Sequence, residues 1–189
     1  MKKDIILCGV GGQGILSIAT VIGEAATAAG VNLKQAEVHG MSQRGGDVQS
    51  NLRLSTEPIW SDLIPRGEAD IIISMEPMEA LRYTGYMNAG SVVVTSSAPF
   101  VNIPNYPDQN AVLAEVDALP KVVKADIETL ARENSMPKGA NMILLGMVAR
   151  FLEVVSPDEL KAAIARVFAA KGEAVVESNV KAFEIGMQI

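Results

Sequence analysis

Two periods alternate through the first half of the chain. Asp4 to Gly9 (DIILCG) is a compact apolar run of strand length. Ile15 to Ala29 (ILSIATVIGEAATAA) is alanine-rich with apolar residues on every side, as a helix packed on a sheet requires. Gly30 stops that helix, and Val31 to Val38 reads as a second strand. Another helix would continue the alternation. The chain shows instead a glycine-broken stretch, Gly40 to Gly46, and then Val48 to Thr56 (VQSNLRLST), whose alternating apolar and polar residues predict a half-exposed strand. Ala69 to Met75 and Ser91 to Ser96 are short buried-strand patterns on either side of a helical stretch from Glu76 to Met87, and Pro99 to Pro107 is proline-punctuated loop.

The last third changes period and becomes helical, with helices predicted over Ala125 to Asn134, Ala140 to Leu152, Pro157 to Ala170 and Glu173 to Met187. Ser156-Pro157-Asp158-Glu159 is a start signal, with Ser156 as N-cap and Glu159 completing a capping box, and Lys171-Gly172 closes the other end. Val176, Val180, Phe183 and Met187 give the final helix one apolar stripe, which should dock on the body or on a partner. The pattern predicts an α/β, Rossmann-like three-layer domain spanning residues 1–189, with a mostly parallel sheet, an antiparallel strand after the second glycine loop and a helical C-terminal third.

Gly9-Val10-Gly11-Gly12-Gln13-Gly14 fits G-x-G-x-x-G and sits directly after a strand and before a helix. Small residues there let the backbone approach an anion, and the N–H groups at the helix start attract phosphate. Gly9, Gly11, Gly12, Gln13 and Gly14 are therefore candidate cofactor-binding residues, although a glycine turn can also serve only to pack a helix against a sheet. Glu37 lies where an NAD-binding acid would meet a ribose. No Walker lysine follows the loop, which argues against nucleoside triphosphate hydrolysis and leaves NAD, coenzyme A and thiamine diphosphate open.

A second loop, His39 to Gly46 (HGMSQRGG), flanks one guanidinium with glycines. Arg44, Gly45 and Gly46 make a second candidate anion clamp, since Arg grips phosphate or carboxylate with two parallel hydrogen bonds. A tight turn in which Arg44 pairs with Glu37 or Asp47 fits the same residues. His39 in such a loop reads as a hydrogen-bonding fixture, Ser42 lacks a nucleophile elbow, and Cys8 within the first strand reads as an inert, buried thiol. No catalytic residue is assigned. Trp60 in a short polar loop reads as an interface anchor rather than a core plug, and the nine methionines as core filling.

Composition narrows the chemistry further. The 189 residues suit one domain, and 16 Lys and Arg against 22 Asp and Glu give a net charge of −6, so no nucleic-acid partner is expected. One Cys and one His cannot build a zinc site or a four-thiolate iron–sulfur cluster, so any such group must come from another chain. The longest later apolar run, Met142 to Ala149, is far shorter than the roughly 20 residues that cross a bilayer, and with the charged start this predicts a soluble, cytoplasmic protein without a membrane partner.

The two loops together, GVGGQG and EVHGMSQRGGDVQSNLR, resemble the gamma-type subunits of the 2-oxoacid:ferredoxin oxidoreductases, with HGMSQRGG most similar to the indolepyruvate branch. Gly67 to Asp70, Leu145-Gly146 and the run Asn179, Ala182, Phe183, Gly186 extend the likeness over nearly the whole chain. The resemblance implies oxidative decarboxylation of a 2-oxoacid, with coenzyme A as co-substrate, to acyl-CoA, CO2 and reduced ferredoxin. It places thiamine diphosphate and the iron–sulfur clusters on a large partner subunit, with ferredoxin reached through the complex. This chain would then contribute to coenzyme A binding and assembly: Gly9, Gly11, Gly12 and Gly14 as the phosphate-facing turn, and Arg44, Gly45 and Gly46 near the ligand or the partner. The competing readings are a small NAD-binding oxidoreductase using Glu37 and a purely structural interaction subunit.

Overall fold

Six strands form one mixed sheet in the order β2-β3-β1-β4-β5-β6. They are β1 (Lys2–Val10), β2 (Asn32–His39), β3 (Asp47–Ser55), β4 (Ala69–Ser74), β5 (Met87–Ser96) and β6 (Val122–Ala125). The computed structural model describes residues 1–39 and 45–189, with only the backbone of His39. Strands β1, β4, β5 and β6 run parallel in sequence of pairing, and β3 runs antiparallel between β1 and β2.

Alternate residues of the central strands feed two separate cores. Ile5 and Leu7 of β1, Ile71 and Ile73 of β4, and Val92 and Val94 of β5 pack against α1 (Ile15–Ala28), α5 (Ala140–Leu152), α6 (Pro157–Phe168) and α7 (Glu173–Gly186). Ile6 and Cys8, Ile72 and Val93 face α2 (Pro77–Arg82), which is backed by α3 (Gln109–Asp117). With both faces covered, these strands read as continuous apolar runs, and the three-layer α/β arrangement follows.

Strand β3 departs from expectation. Polar residues at its centre do not face water: Ser50 and Asn51 are buried, and the Asn51 side-chain oxygen accepts from the Ile64 N–H (3.2 Å). Arg53 forks onto Asp4 (Nε to Oδ1 2.8 Å, Nη2 to Oδ2 3.0 Å) and donates through Nη1 to the carbonyls of Ser61 and Leu63 (3.0 and 3.1 Å). The alternation in VQSNLRLST therefore encodes a strand whose polar side holds down the segment around residues 57–64.

The stretch expected to be helical from Glu76 to Met87 is shorter: α2 ends at Arg82, a 3-10 turn spans Thr84–Tyr86, and Met87 already opens β5. The helix expected from Ala125 begins at Ile127 as α4 (Ile127–Glu133), because Val122–Ala125 is the edge strand β6 and Asp126 caps the helix. Helix α3 had no counterpart in the sequence reading. The capping box of α6 is present: Ser156 Oγ accepts from the Glu159 N–H (3.2 Å), and the Glu159 carboxylate accepts from the Ser156 N–H (2.6 Å). Helices α5 and α7 cross at Gly146 and Gly186, where a Cβ on either would overlap the carbonyl oxygen of Phe183 or Ile143 respectively. Phe183 is buried in that crossing and Val176 and Val180 pack partly against the core, whereas Met187 is 37% exposed at the helix end.

Candidate functional site

The turn from β1 into α1 is braced from within. The Val10 N–H donates to Gln13 Oε1 (2.8 Å) and Gln13 Nε2 donates to the Met75 carbonyl (3.4 Å), so the Gln13 side chain ties the loop to the end of β4. Gly12 and Gly14 have φ of 102° and 83°, the left-handed region that favours glycine, and Gly14 is the N-cap of α1. The Gly14 carbonyl accepts from Asn141 Nδ2 (3.2 Å) in the first turn of α5. The starts of two long helices thus meet at one glycine. Among the described residues, no acceptor takes the amide N–H of Gly12 or Gly14, as suits donors at a helix start that bind an anion.

The second loop is delivered to the first by the antiparallel ladder. Register Val10↔Asp47 carries the pairing beyond the strands, so that the Gly11 N–H donates to the Gly46 carbonyl (2.8 Å) and the Gly45 N–H to the Gly11 carbonyl (3.2 Å). Gly9, Gly11, Gly12, Gln13, Gly14, Gly45 and Gly46 are all brought together at this end of the sheet, where ligands of open α/β folds bind. Arg44, Ser42 and the side chain of His39 lie outside the described residues.

A cleft of about 370 Å³ opens beside the turn, lined by Gly11, Gly12, Gly14, Leu16, Ser17 and Val48 among others. Its lining combines glycine backbone with aliphatic side chains. A second cleft of about 260 Å³ flanks the same glycines on the α5 side, with Lys138 and Glu128 at its rim. A ligand with an anionic part and an aliphatic arm matches the first cleft. Among the described residues of its lining, none provides a proton-transfer side chain better than the Ser17 hydroxyl.

On the opposite face of the sheet lies a polar cluster that sequence reasoning missed. Glu76 is completely buried, caps α2 by accepting from the Glu79 N–H (2.8 Å), and accepts also from the Phe100 N–H (3.3 Å) and the Tyr106 hydroxyl. Pro77 at the helix start was its one sequence signal. Burial raises the Glu79 carboxyl above its ordinary value, partly offset by the Arg82 guanidinium 3.0 Å away. Burial likewise pushes the Cys8 thiol far up, so it is an inert hydrophobe. Among the described residues no group of three or more His, Cys, Asp or Glu is placed to hold a metal ion.

Two further candidates sit away from the glycine turn. Glu37 is on β2, which β3 separates from β1, so it stands two strand spacings, about 9.6 Å, from β1 rather than on the neighbouring strand as in a dinucleotide fold. Trp60 is 91% exposed beside the Asp4–Arg53 pair, roughly 20 Å along β1 from the glycine turn. No helix among the described residues is long and apolar enough to cross a membrane.

Comparison with known proteins places this geometry. The family described as pyruvate ferredoxin/flavodoxin oxidoreductase matches residues 4–189. The indolepyruvate oxidoreductase subunit IorB of Thermococcus kodakarensis is 35% identical, covering 100% of this chain and 96% of that protein. The gamma subunit of a keto/oxoacid ferredoxin oxidoreductase from Geobacter sulfurreducens superposes with a TM-score of 0.74 at 25% identity, over 100% of this chain and 95% of that one. The fold recurs within a longer chain, the 2-oxoglutarate:ferredoxin oxidoreductase of Magnetococcus marinus, solved with 2-oxoglutarate, coenzyme A and succinyl-CoA bound. There the TM-score is 0.77 at 21% identity, over 99% of this chain and 30% of that one.

Proposed function

The chain belongs to the pyruvate ferredoxin/flavodoxin oxidoreductase family and is a small subunit of the indolepyruvate type, and from that premise we propose that its joined glycine loops hold coenzyme A for a larger catalytic subunit. The reaction is oxidation of an aryl 2-oxoacid: carbon dioxide leaves, the acyl group passes to the coenzyme A sulfur, and two electrons pass to ferredoxin. With one cysteine, buried in β1, this chain cannot supply the thiolates of an iron–sulfur cluster, so the clusters belong to the larger partner; the family resemblance implies the same place for thiamine diphosphate. Thiamine diphosphate supplies the carbanion chemistry when bound there.

The observation that carries the proposal is the hydrogen-bonded junction of the two loops beside an aliphatic cleft. The amides of Gly12 and Gly14, at the positive end of α1, attract the phosphates. Leu16 and Val48 offer an apolar wall to the pantetheine arm, and Gly45 and Gly46 cover the turn from the β3 side. Arg44, one peptide bond from Gly45, has the chemistry to add a guanidinium to the phosphate group. The role of this chain is therefore to bind and orient. The position of Glu37 weighs against the nicotinamide alternative.

The test is purification of the native complex followed by calorimetric titration. A larger subunit carrying thiamine diphosphate and iron–sulfur clusters should co-purify, and the complex should bind coenzyme A and not NADH. Tight NADH binding, or an active monomer of this chain, would overturn the proposal. Arg44→Ala should raise the coenzyme A concentration needed for half-maximal rate by roughly tenfold, the worth of one charged hydrogen bond.

A further inference from the structure

We propose that the segment Ser97 to Pro107, which joins β5 to the turn before α3, is a strap that positions the Gly45-Gly46 pair leading into β3, with Asn102 as its positioning residue; this rests on the coenzyme A reading above. Asn102 Nδ2 donates to the carbonyl of Gly45 (2.7 Å), 57 residues away in sequence. Gly45 is itself joined to Gly11 by the Gly45 N–H, and its φ of 79° is a conformation that a glycine adopts without strain and does not enforce. Gly45 and Gly46 have no side chains of their own to fix them, so their position must come from what their backbone touches. Among the described residues those contacts are Gly11 on one side and Asn102 on the other.

The strap is firmly held at its other attachment. The buried Glu76 carboxylate accepts from the Phe100 N–H (3.3 Å) and from the Tyr106 hydroxyl, one residue group on each side of Asn102. Burial, together with hydrogen bonding to the Glu76 carboxylate, pushes the Tyr106 hydroxyl up, so it remains a donor across the physiological range. Apolar burial is not what holds the segment, because Phe100 and Val101 are 47% and 56% exposed. A fixed polar anchor thus reaches from the start of α2, through Asn102, to the loop that precedes β3. Preorganising that loop raises affinity for its ligand without contributing any group to the chemistry.

The prediction is a split between kinetic constants, measured on the co-purified complex. Asn102→Asp keeps the size of the side chain but sets a carboxylate oxygen against the Gly45 carbonyl. It should raise the KM for coenzyme A about tenfold while kcat at saturating coenzyme A changes by less than about twofold. Asn102→Gln, which restores an amide donor, should recover most of the loss. Tyr106→Phe loosens the strap at its anchor and should raise the same KM about threefold, which keeps a readout if the Asp variant folds poorly. An unchanged KM in Asn102→Asp and Tyr106→Phe, with Arg44→Ala raising it, would overturn the strap and leave the coenzyme A reading standing. An unchanged KM in all three would overturn both. A fall in melting temperature with KM unchanged would make Asn102 merely structural and also refute the proposal.

Discussion

Glycine serves opposite ends at the α5–α7 crossing and in the turn between β1 and α1. At Gly146 and Gly186 the volume a Cβ would take is already filled by the backbone of the other helix. At Gly12 no described residue lies within 4 Å of that position, and Gly12 lines the cleft. The first pair is a packing device: two helices approach until carbonyl oxygens meet Cα atoms, which no other residue allows. The second is a vacancy beside amides that have no acceptor in the described chain. Both stretches, LG near 146 and GVGGQG near the start, belong to the family resemblance in the sequence, and only the structure shows that one is filled by a packed helix while the other borders an open cleft.

Substitution separates the two. Gly146→Ala should be the most damaging change, forcing α5 from α7 and costing about 3 kcal/mol, at the upper end for overpacking. For a chain of this size that lowers the melting temperature by roughly 6–12 °C, measurable by circular dichroism. Gly12→Ala places a methyl in open space and meets only the strain of φ 102°, so it should cost about 1 kcal/mol. Equal destabilisation by the two would erase the distinction between them.

The opposite face of the sheet sharpens the contrast through pH. Burial holds the Glu79 carboxyl above its ordinary 4.5, so its ionised form opposes folding. The favourable term is fully present below pH 4.5 and is lost as pH rises through the raised value. Glu79→Gln should therefore melt above the parent at pH 7.5, with the gap closing towards pH 4; thermal scans across that range check the sign. A gap that widens on acidification would show that the Arg82 pair outweighs burial. The smallest effect on stability is expected at Trp60, which is 91% exposed. Trp60→Ser should stay within about 0.5 kcal/mol of the parent and yet weaken recovery of the larger subunit in co-purification. Undiminished recovery would remove Trp60 from the subunit contact.

Most of the layered fold could be read from local pattern. The buried strands β1, β4 and β5 are apolar because both sheet faces are covered, α1, α5, α6 and α7 carry their own period, and α6 carries its capping box. What escaped is what depends on distant partners. Val122–Ala125 is too short and too partly exposed to declare itself a strand, and α3 has only Val112 and Val116 buried. The polar side of β3 looked solvent-facing because Asn51 and Arg53 answer to a loop that no local period announces. At the site, the glycine turn was legible as strand, small residues and helix. Its junction with Gly45 and Gly46 required the register of β3 against β1, and the tie from Asn102 to Gly45 and the buried Glu76 left no trace in spacing. The distance of Glu37 from the glycine turn needed the strand order, in which β3 inserts between β1 and β2.

The most direct measurement is calorimetric titration of coenzyme A into the co-purified complex, comparing the parent with Gly12→Ala at a temperature where both are folded. One coenzyme A per small subunit, bound at least tenfold more weakly once a methyl enters the cleft, is the predicted result. Equal affinity in the two complexes would contradict a glycine turn that receives the ligand.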